Sequence, residues 1–501
     1  GDLPLLEPAG FQEAKEMTKM AFEISEELEL PVLIRSVTRV SHARGNVTLD
    51  ELRKGGPKPK FDTSRPRIGF PVIPNHIVLH ERLNKAKQMF EESPFNFYQG
   101  PEKPDVLLVT SGSGYMYSLE ALIDLTLQEK VGILKMGTTW PLPEKLILNH
   151  LKKADRILFV EEVDPFLENN VKEIYAQNCV DLGPKAFSGK ASKGLPDTGE
   201  LNPEIVIHAI QGLLNIPYEP RPADYVQRVR EAASELVPAR ALGFCAGCPH
   251  RATYWAVKVA LALDGRDGFV LGDIGCYGLG MGPSGFGQMK TLHAMGSATG
   301  LACGFGQLGR FGLEQPVLAV CGDSTFYHAA MPALANAYYN GANFLLLLLD
   351  NSATAMTGFQ PHPGTGSTAT GSEAPVIDLK AICEVFGARV EVVDPFDVAT
   401  TVETLLKLLQ DEKGVKVLIL KRECALVSAK RQRRLDKVEV DPERCLGETC
   451  GCNRLCTRIF KCPGLMWDKE AGKARIDEAI CTGCGICAEI CPATAIRKEA
   501  A

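Results

Sequence analysis

Short, evenly apolar runs alternate with stretches of helical periodicity through the middle of this chain. Residues 105–110, 131–135 and 156–160 have the length and uniform hydrophobicity of buried strands. Between them, 117–128 and 143–151 repeat their apolar positions at helical spacing. Strands that lack an alternating polar face are covered on both sides, so the pattern predicts a parallel sheet flanked by helices. The same alternation returns from about 242 to 424. There 269–273, 316–321, 344–350 and 415–421 predict strands, and 328–339 predicts a helix following Gly322-Asp323-Ser324. Near the start, 11–30 predicts a helix and 31–36 a buried strand, a fragment of a further α/β unit.

Breaks in the pattern suggest the boundaries. Residues 53–75 are rich in Gly, Pro and Lys and read as a linker, and the polar 183–199 and the Pro-rich 217–222 lead into the second α/β region. The basic run Lys430, Arg431, Arg433 and Arg434 reads as a solvated linker that can also attract an acidic carrier protein. The turn from Ser111 to Gly114 joins a strand to a helix, but it fits neither common phosphate-loop pattern and reads as a plain tight turn.

With 501 residues, 45% hydrophobic and 23% charged, the chain has ordinary globular composition and room for three or four domains. A net charge of −6 gives no electrostatic reason to bind nucleic acid or an anionic membrane. Its longest apolar runs have the length of strands, not of membrane spans. No secretory signal opens the chain, and a cytoplasmic location is expected. Residues 1–10 lack an initiator Met and read like the middle of a domain, so further sequence is expected before Gly1.

Nine of the 17 cysteines lie between Cys445 and Cys491. Such crowding implies metal or iron–sulfur ligation and not a disulfide framework. Cys481, Cys484, Cys487 and Cys491-Pro492 form C-x2-C-x2-C-x3-C-P, the bacterial ferredoxin run whose fourth Cys ligates a second cluster, and this spacing sets aside a zinc module. Upstream lie Cys445, Cys450, Cys452, Cys456 and Cys462-Pro463. By pseudo-symmetry Cys462 completes the cluster of Cys481, Cys484 and Cys487. Cys491 then joins three of the other four, and the spacing leaves open which three.

Two strand ends carry a second candidate site. Asp323 follows one and Asn351 the other, and both fall at the carboxyl edge of one parallel sheet, where such sheets bind ligands. Mg²⁺ takes hard oxygen ligands. The Asp323 carboxylate, the Asn351 amide and the Ala353 carbonyl would supply three. The alternative reading makes Asp323 a helix cap and Asn351 a turn residue.

These residues resemble the GDG…NN signature of thiamine-diphosphate enzymes, with Ser324 in place of the last Gly. The stretches 244–251 (FCAGCPHR), 272–276 (GDIGC) and 294–297 (AMGS) match, in order, the diphosphate-binding domain of 2-oxoacid:ferredoxin oxidoreductases. Residues 350–364 (DNSATAMTGFQPHPG) resemble the indolepyruvate branch of that family. The resemblance covers essentially the whole chain. It implies an α/β fold of thiamine-diphosphate-binding, doubly wound parallel-sheet domains plus a C-terminal two-[4Fe–4S] ferredoxin-like module. The implied domains are the end of a pyrimidine-binding domain (1–60), a linker (61–103), a transketolase C-terminal-like domain (104–215), the diphosphate-binding domain (240–425), a linker (426–440) and the ferredoxin-like module (441–498). Gly275, Cys276, Gly296, Ser297, Gly322, Asp323, Ser324, Asn351 and Ala353 would contact the cofactor, with Asp323, Asn351 and Ala353 on Mg²⁺. Cys456 keeps the family's distance to the following Cys-Pro.

The resemblance further implies a large subunit that works with a small (beta) subunit in a hetero-oligomer. It would decarboxylate an aryl 2-oxoacid oxidatively, pass electrons to ferredoxin and acylate coenzyme A. Another 2-oxoacid, a non-catalytic electron-transfer subunit and a non-oxidative decarboxylase remain as alternatives. The family's activating Glu belongs to the part expected before Gly1. No acidic residue here takes that role, and the chain alone is expected to be inactive or nearly so.

Four further cysteines suggest a third, proximal [4Fe–4S] cluster beside the thiamine. Cys245 and Cys248 form C-x2-C, and Cys276 and Cys424 each follow a strand at its carboxyl end. The alternative is four buried structural thiols, the reading that suits Cys303, Cys321 and Cys383.

Overall fold

Five leucines in a row, Leu345 to Leu349, sit in the strand Phe344–Asp350, and every residue of that strand is buried. The computed structural model describes residues 2–51, 69–219, 221–237, 242–411, 413–431 and 436–500. The chain divides into two units, 1–233 and 234–501. Among the described residues no helix is long and apolar enough to cross a membrane.

The first unit holds strands β1 (Phe97–Gln99), β2 (Val106–Ser111), β3 (Val131–Met136), β4 (Arg156–Val160) and β5 (Ala186–Ser188). They pair in the order β1-β3-β2-β4-β5, all parallel except the edge strand β1. Alternate residues enter opposite cores. Val106 and Leu108 pack with Tyr117 and Ile210 on one face, and Leu107 and Val109 with Ile147 and Val171 on the other. At the turn after β2, Gly112 takes φ +52° and the helix Ser113–Asp124 follows directly. The chain's first strand is shorter than the sequence suggests: only Leu33–Ile34 pairs, parallel to Leu5–Leu6.

The second unit holds β6 (Phe269–Leu271), β7 (Val317–Gly322), β8 (Phe344–Asp350), β9 (Arg389–Val393) and β10 (Val415–Lys421). Their order is β9-β10-β8-β7-β6, parallel throughout. Again both faces are covered. Leu346 and Leu348 pack against Ala298 and Leu334, and Leu345, Leu347 and Leu349 against Val257 and Leu405. Each fully buried Leu contributes about 1.5–3 kcal/mol, which explains the unbroken apolar run. β9 escaped the sequence reading because, at the sheet edge, none of its residues is buried and it carries no continuous apolar run.

Three expectations need correction. The interval 61–103 is not a bare linker: it contains the helix Val72–Glu91 and β1, while 52–68 lie outside the described residues. That helix buries only Leu83, Ala86 and Phe90, against Met17, Ile24 and Leu28 of the helix Phe11–Leu28, so its apolar stripe is narrow. The interval 426–440 is not a linker either. Ala425–Arg431 is helical, and Asp436–Val440 pairs antiparallel with Ile496–Ala500, joining the cysteine-rich module; Arg433 and Arg434 lie outside the described residues. Finally, the helix expected from 328 begins at Asp323. It passes through a π-helical turn, Phe326–Ala330, before regular geometry resumes at Met331–Tyr339. Such turns accompany functional sites.

The cysteine-rich module also contains a hairpin, Leu465–Asp468 with Lys473–Ile476. It shares a core with the larger sheet: Ala252 and Trp255 of the helix Pro249–Asp264 pack with Phe460, Ile486 and Ile490.

Candidate cofactor site

The carboxyl ends of β6, β7, β8 and β10 converge on one edge. Asp323, first residue after β7, is buried and fully engaged. Its Oδ1 accepts the Ser324 N–H at 2.8 Å, and its Oδ2 accepts the N–H groups of Asn351 at 3.1 Å and Ser352 at 2.8 Å. The Thr354 hydroxyl donates to the Ser324 hydroxyl at 2.9 Å and holds the next loop over the helix start. The Asn351 amide oxygen accepts from Ala353 N–H at 3.2 Å.

Two histidines that the sequence did not single out complete this edge. His250, on the first turn of the helix Pro249–Asp264, lies with Nε2 3.4 Å from the Asn351 amide nitrogen. Burial pushes His250 down to about 4, so near neutrality it accepts from that amide. His362 is buried and stacks on Tyr327, and its Nδ1 accepts the Gly364 N–H at 3.2 Å. That leaves the ring proton on Nε2, which lies 3.2 Å from Asp323 Oδ2 yet makes no hydrogen bond. Both lie in stretches that carry the family resemblance, 244–251 and 350–364, and that signal could have found them.

A cleft opens here, lined by His250, Gly275, Cys276, Asp323, Asn351 and Met356. Gly322, Ser324 and Ala353 also line it; Gly296 and Ser297 do not, and from their segment Met295 does. Gly296 instead donates its N–H to Asp273 Oδ2 at 3.0 Å, and the Tyr277 hydroxyl donates to Oδ1 at 2.5 Å. Burial pushes Asp273 up to about 6 despite these donors. A Cβ on Gly322 would meet the Tyr277 ring at 2.6 Å, so only glycine admits that ring. The residues fit a divalent cation with a diphosphate. Asp323, Asn351 and Ala353 offer oxygens from neighbouring strand ends, and the orphaned, buried His362 Nε2 offers a donor beside the carboxylate.

Among the described residues no three His, Cys, Asp or Glu side chains stand as a ready metal site, but Cys276 lines this cleft and Cys248 directly precedes the helix that carries His250. Burial pushes the Cys248 thiol up to about 12 and the Cys276 thiol to about 11. Cys424 N–H donates to the Asn351 carbonyl at 3.0 Å, which ties it to the β8 end. In the tail, one cavity is lined by Cys462, Cys481, Cys484 and Cys487, and another by Cys445, Cys450, Cys452, Cys456 and Cys491. Cys445 N–H donates to Asp441 O at 2.9 Å, and Cys481 N–H to Asp477 O at 2.8 Å, the same turn in both halves. The insertion in the first half shows as left-handed backbone at Asn453 (φ +49°) and Arg454 (φ +54°).

Residues 273–420 match the family described as thiamine pyrophosphate enzyme, C-terminal TPP binding domain, and 474–497 match the 4Fe-4S binding domain family. Fold and site together define a thiamine-diphosphate-dependent, iron–sulfur 2-oxoacid:ferredoxin oxidoreductase. The chain is 37% identical over 521 residues to indolepyruvate oxidoreductase subunit IorA of Pyrococcus horikoshii, covering 99% of this chain and 78% of that one. It is 38% identical over 506 residues to subunit IorA of Methanothermobacter thermautotrophicus (99% and 77%) and 36% over 507 to that of Archaeoglobus fulgidus (99% and 76%). The chain belongs to the family of indolepyruvate oxidoreductase subunit IorA.

Proposed function

We propose that this chain is the cofactor-bearing large subunit that oxidises indolepyruvate or a similar aryl 2-oxoacid in the cytoplasm, together with a small subunit. In the overall reaction, 2-oxoacid, coenzyme A and two oxidised ferredoxins give acyl-CoA, carbon dioxide, a proton and two reduced ferredoxins. The observation that carries the reading is the meeting of Asp323 and Asn351 at one sheet edge, where Cys276 lines the cleft and Cys424 N–H donates to the Asn351 carbonyl. Bound thiamine diphosphate supplies the carbanion chemistry by which a 2-oxoacid loses carbon dioxide. Asp323, Asn351 and the Ala353 carbonyl hold Mg²⁺ and through it the diphosphate; Gly275, Gly322 and Ser324 shape its bed. The His362 Nε2 proton stands ready for an oxygen on that group, and neutral His250 orients the Asn351 amide. Cys245, Cys248, Cys276 and Cys424 hold a proximal [4Fe–4S] cluster, and Cys462, Cys481, Cys484 and Cys487 a second.

Cys491 holds the third with Cys445, Cys456 and one of Cys450 or Cys452. The shared Asp-to-Cys turn supports Cys445 as the counterpart of Cys481. The aryl preference is supported by the names of the relatives. Methyl-viologen reduction by the native holoenzyme, large and small subunits together, with indolepyruvate and coenzyme A tests the reading: no reduction, or reduction that ignores coenzyme A, overturns it.

A further inference from the structure

Arg251 is 2% exposed, on the first turn of the helix that follows Cys248. Its two terminal nitrogens reach opposite ways. Nη2 donates to Phe244 O at 2.6 Å, one residue before Cys245, and Nη1 donates to Phe460 O at 2.8 Å, two residues before Cys462. The rings of the same two phenylalanines stand 5.8 and 5.7 Å from the guanidinium, within the range of cation–π attraction. Nε is buried and makes no hydrogen bond. Cys245 and Cys248 lie on the loop that leads into this helix, and Cys462 and Cys484 pack on the same small core as Phe460 and Ala252, the residue after Arg251. The two cysteine loops also touch beside it. A Cβ on Gly247 would meet the Thr482 hydroxyl at 2.1 Å, between Cys481 and Cys484.

We propose that Arg251 is a positioning residue whose buried charge is shared by the cluster sites of Cys245–Cys248 and Cys462–Cys484, raising the reduction potential of both. The inference rests on the assignment of clusters to those two groups under the proposed function. A buried cation is costly unless negative charge faces it, and here that charge is thiolate and sulfide. Reduction adds one negative charge to a cubane, so the guanidinium attracts the reduced state more strongly than the oxidised one. Net charge and hydrogen bonds to sulfur are the protein's means of setting such potentials, and the free Nε–H is a donor for the second. The result is an electron route whose first two stations are tuned together.

The test compares Arg251→Gln and Arg251→Lys in the full chain, reconstituted anaerobically, by iron analysis, by redox titration followed by electron paramagnetic resonance, and by thermal unfolding of the iron-free proteins. Both variants lose the two-way hydrogen bonding and should melt below the unmutated protein. Only the Gln variant should lower the equilibrium constant for one-electron reduction at two clusters, about tenfold each, or 59 mV. The Lys variant should keep both potentials. Unmoved potentials in the Gln variant, or equal shifts in both variants, overturn the role of Arg251 while leaving the cluster assignment standing. About eight irons in the unmutated protein, in place of about twelve at four per cubane, overturn the proximal cluster and this proposal with it.

Discussion

Asp323 Oδ2 accepts the backbone N–H of Asn351 across the gap between β7 and β8 at 3.1 Å. The carboxylate therefore clasps two strand ends besides offering oxygens to a cation. Asn351→Ala removes an amide oxygen and leaves that clasp, so it should weaken Mg²⁺-dependent thiamine diphosphate binding at least tenfold, about 1.4 kcal/mol, with little loss of stability. Asp323→Ala should abolish binding and also destabilise the fold, since hydrogen bonds to a charged group contribute about 1.5–3 kcal/mol each. Calorimetry and thermal unfolding read both effects; unchanged cofactor affinity in either variant would refute the assignment.

Iron content tests the proximal group. The Cys276→Ala, Cys424→Ala double variant should hold about eight irons after reconstitution, against about twelve in the unmutated chain at four per cubane. Equal iron in the two proteins would mean that these thiols ligate nothing.

The tail makes a sharper prediction. Cys445→Ser should cost one cubane, about four irons. Of Cys450→Ser and Cys452→Ser, one should match that loss and the other should keep its iron. A Cys445→Ser protein with full iron would show that the turn shared with Cys481 has no bearing on ligation.

His250 links the site to pH. Its folded value is depressed to about 4 by burial, below the ordinary 6.5, so its contribution is present above pH 6.5 and is lost as pH falls through about 4. That loss amounts to about 3 kcal/mol at most. Asp273 runs the other way, because its raised value of about 6 makes its contribution one that disappears as pH rises. The comparison must therefore be between variants and not along one curve. The stability gap between unmutated protein and His250→Asn should narrow between pH 7 and pH 4 in urea unfolding; a gap independent of pH would refute a buried neutral imidazole.

Strands were legible where burial on both faces leaves a continuous apolar run. Arg156–Val160, Phe344–Asp350 and Val415–Lys421 lie where the sequence places them. Asp436–Val440 was not legible, because its partner Ile496–Ala500 is far along the chain and pairing leaves no local trace. The helix Val72–Glu91 hid behind three buried side chains. In the site, Asp323 and Asn351 could be read because strand ends announce themselves. His250, Arg251 and His362 lie in stretches that carry the family resemblance, but the partners they face were not legible, since tertiary packing alone decides them.

The core formed by Trp255, Phe460, Ile486 and Ile490 fastens the cysteine-rich tail to the helix that bears His250. A tail packed in this way is no swinging arm that loads at one place and unloads at another. Under the proposed function, current inside the chain would pass between fixed stations, and solvent viscosity would bear only on the meeting with an outside carrier.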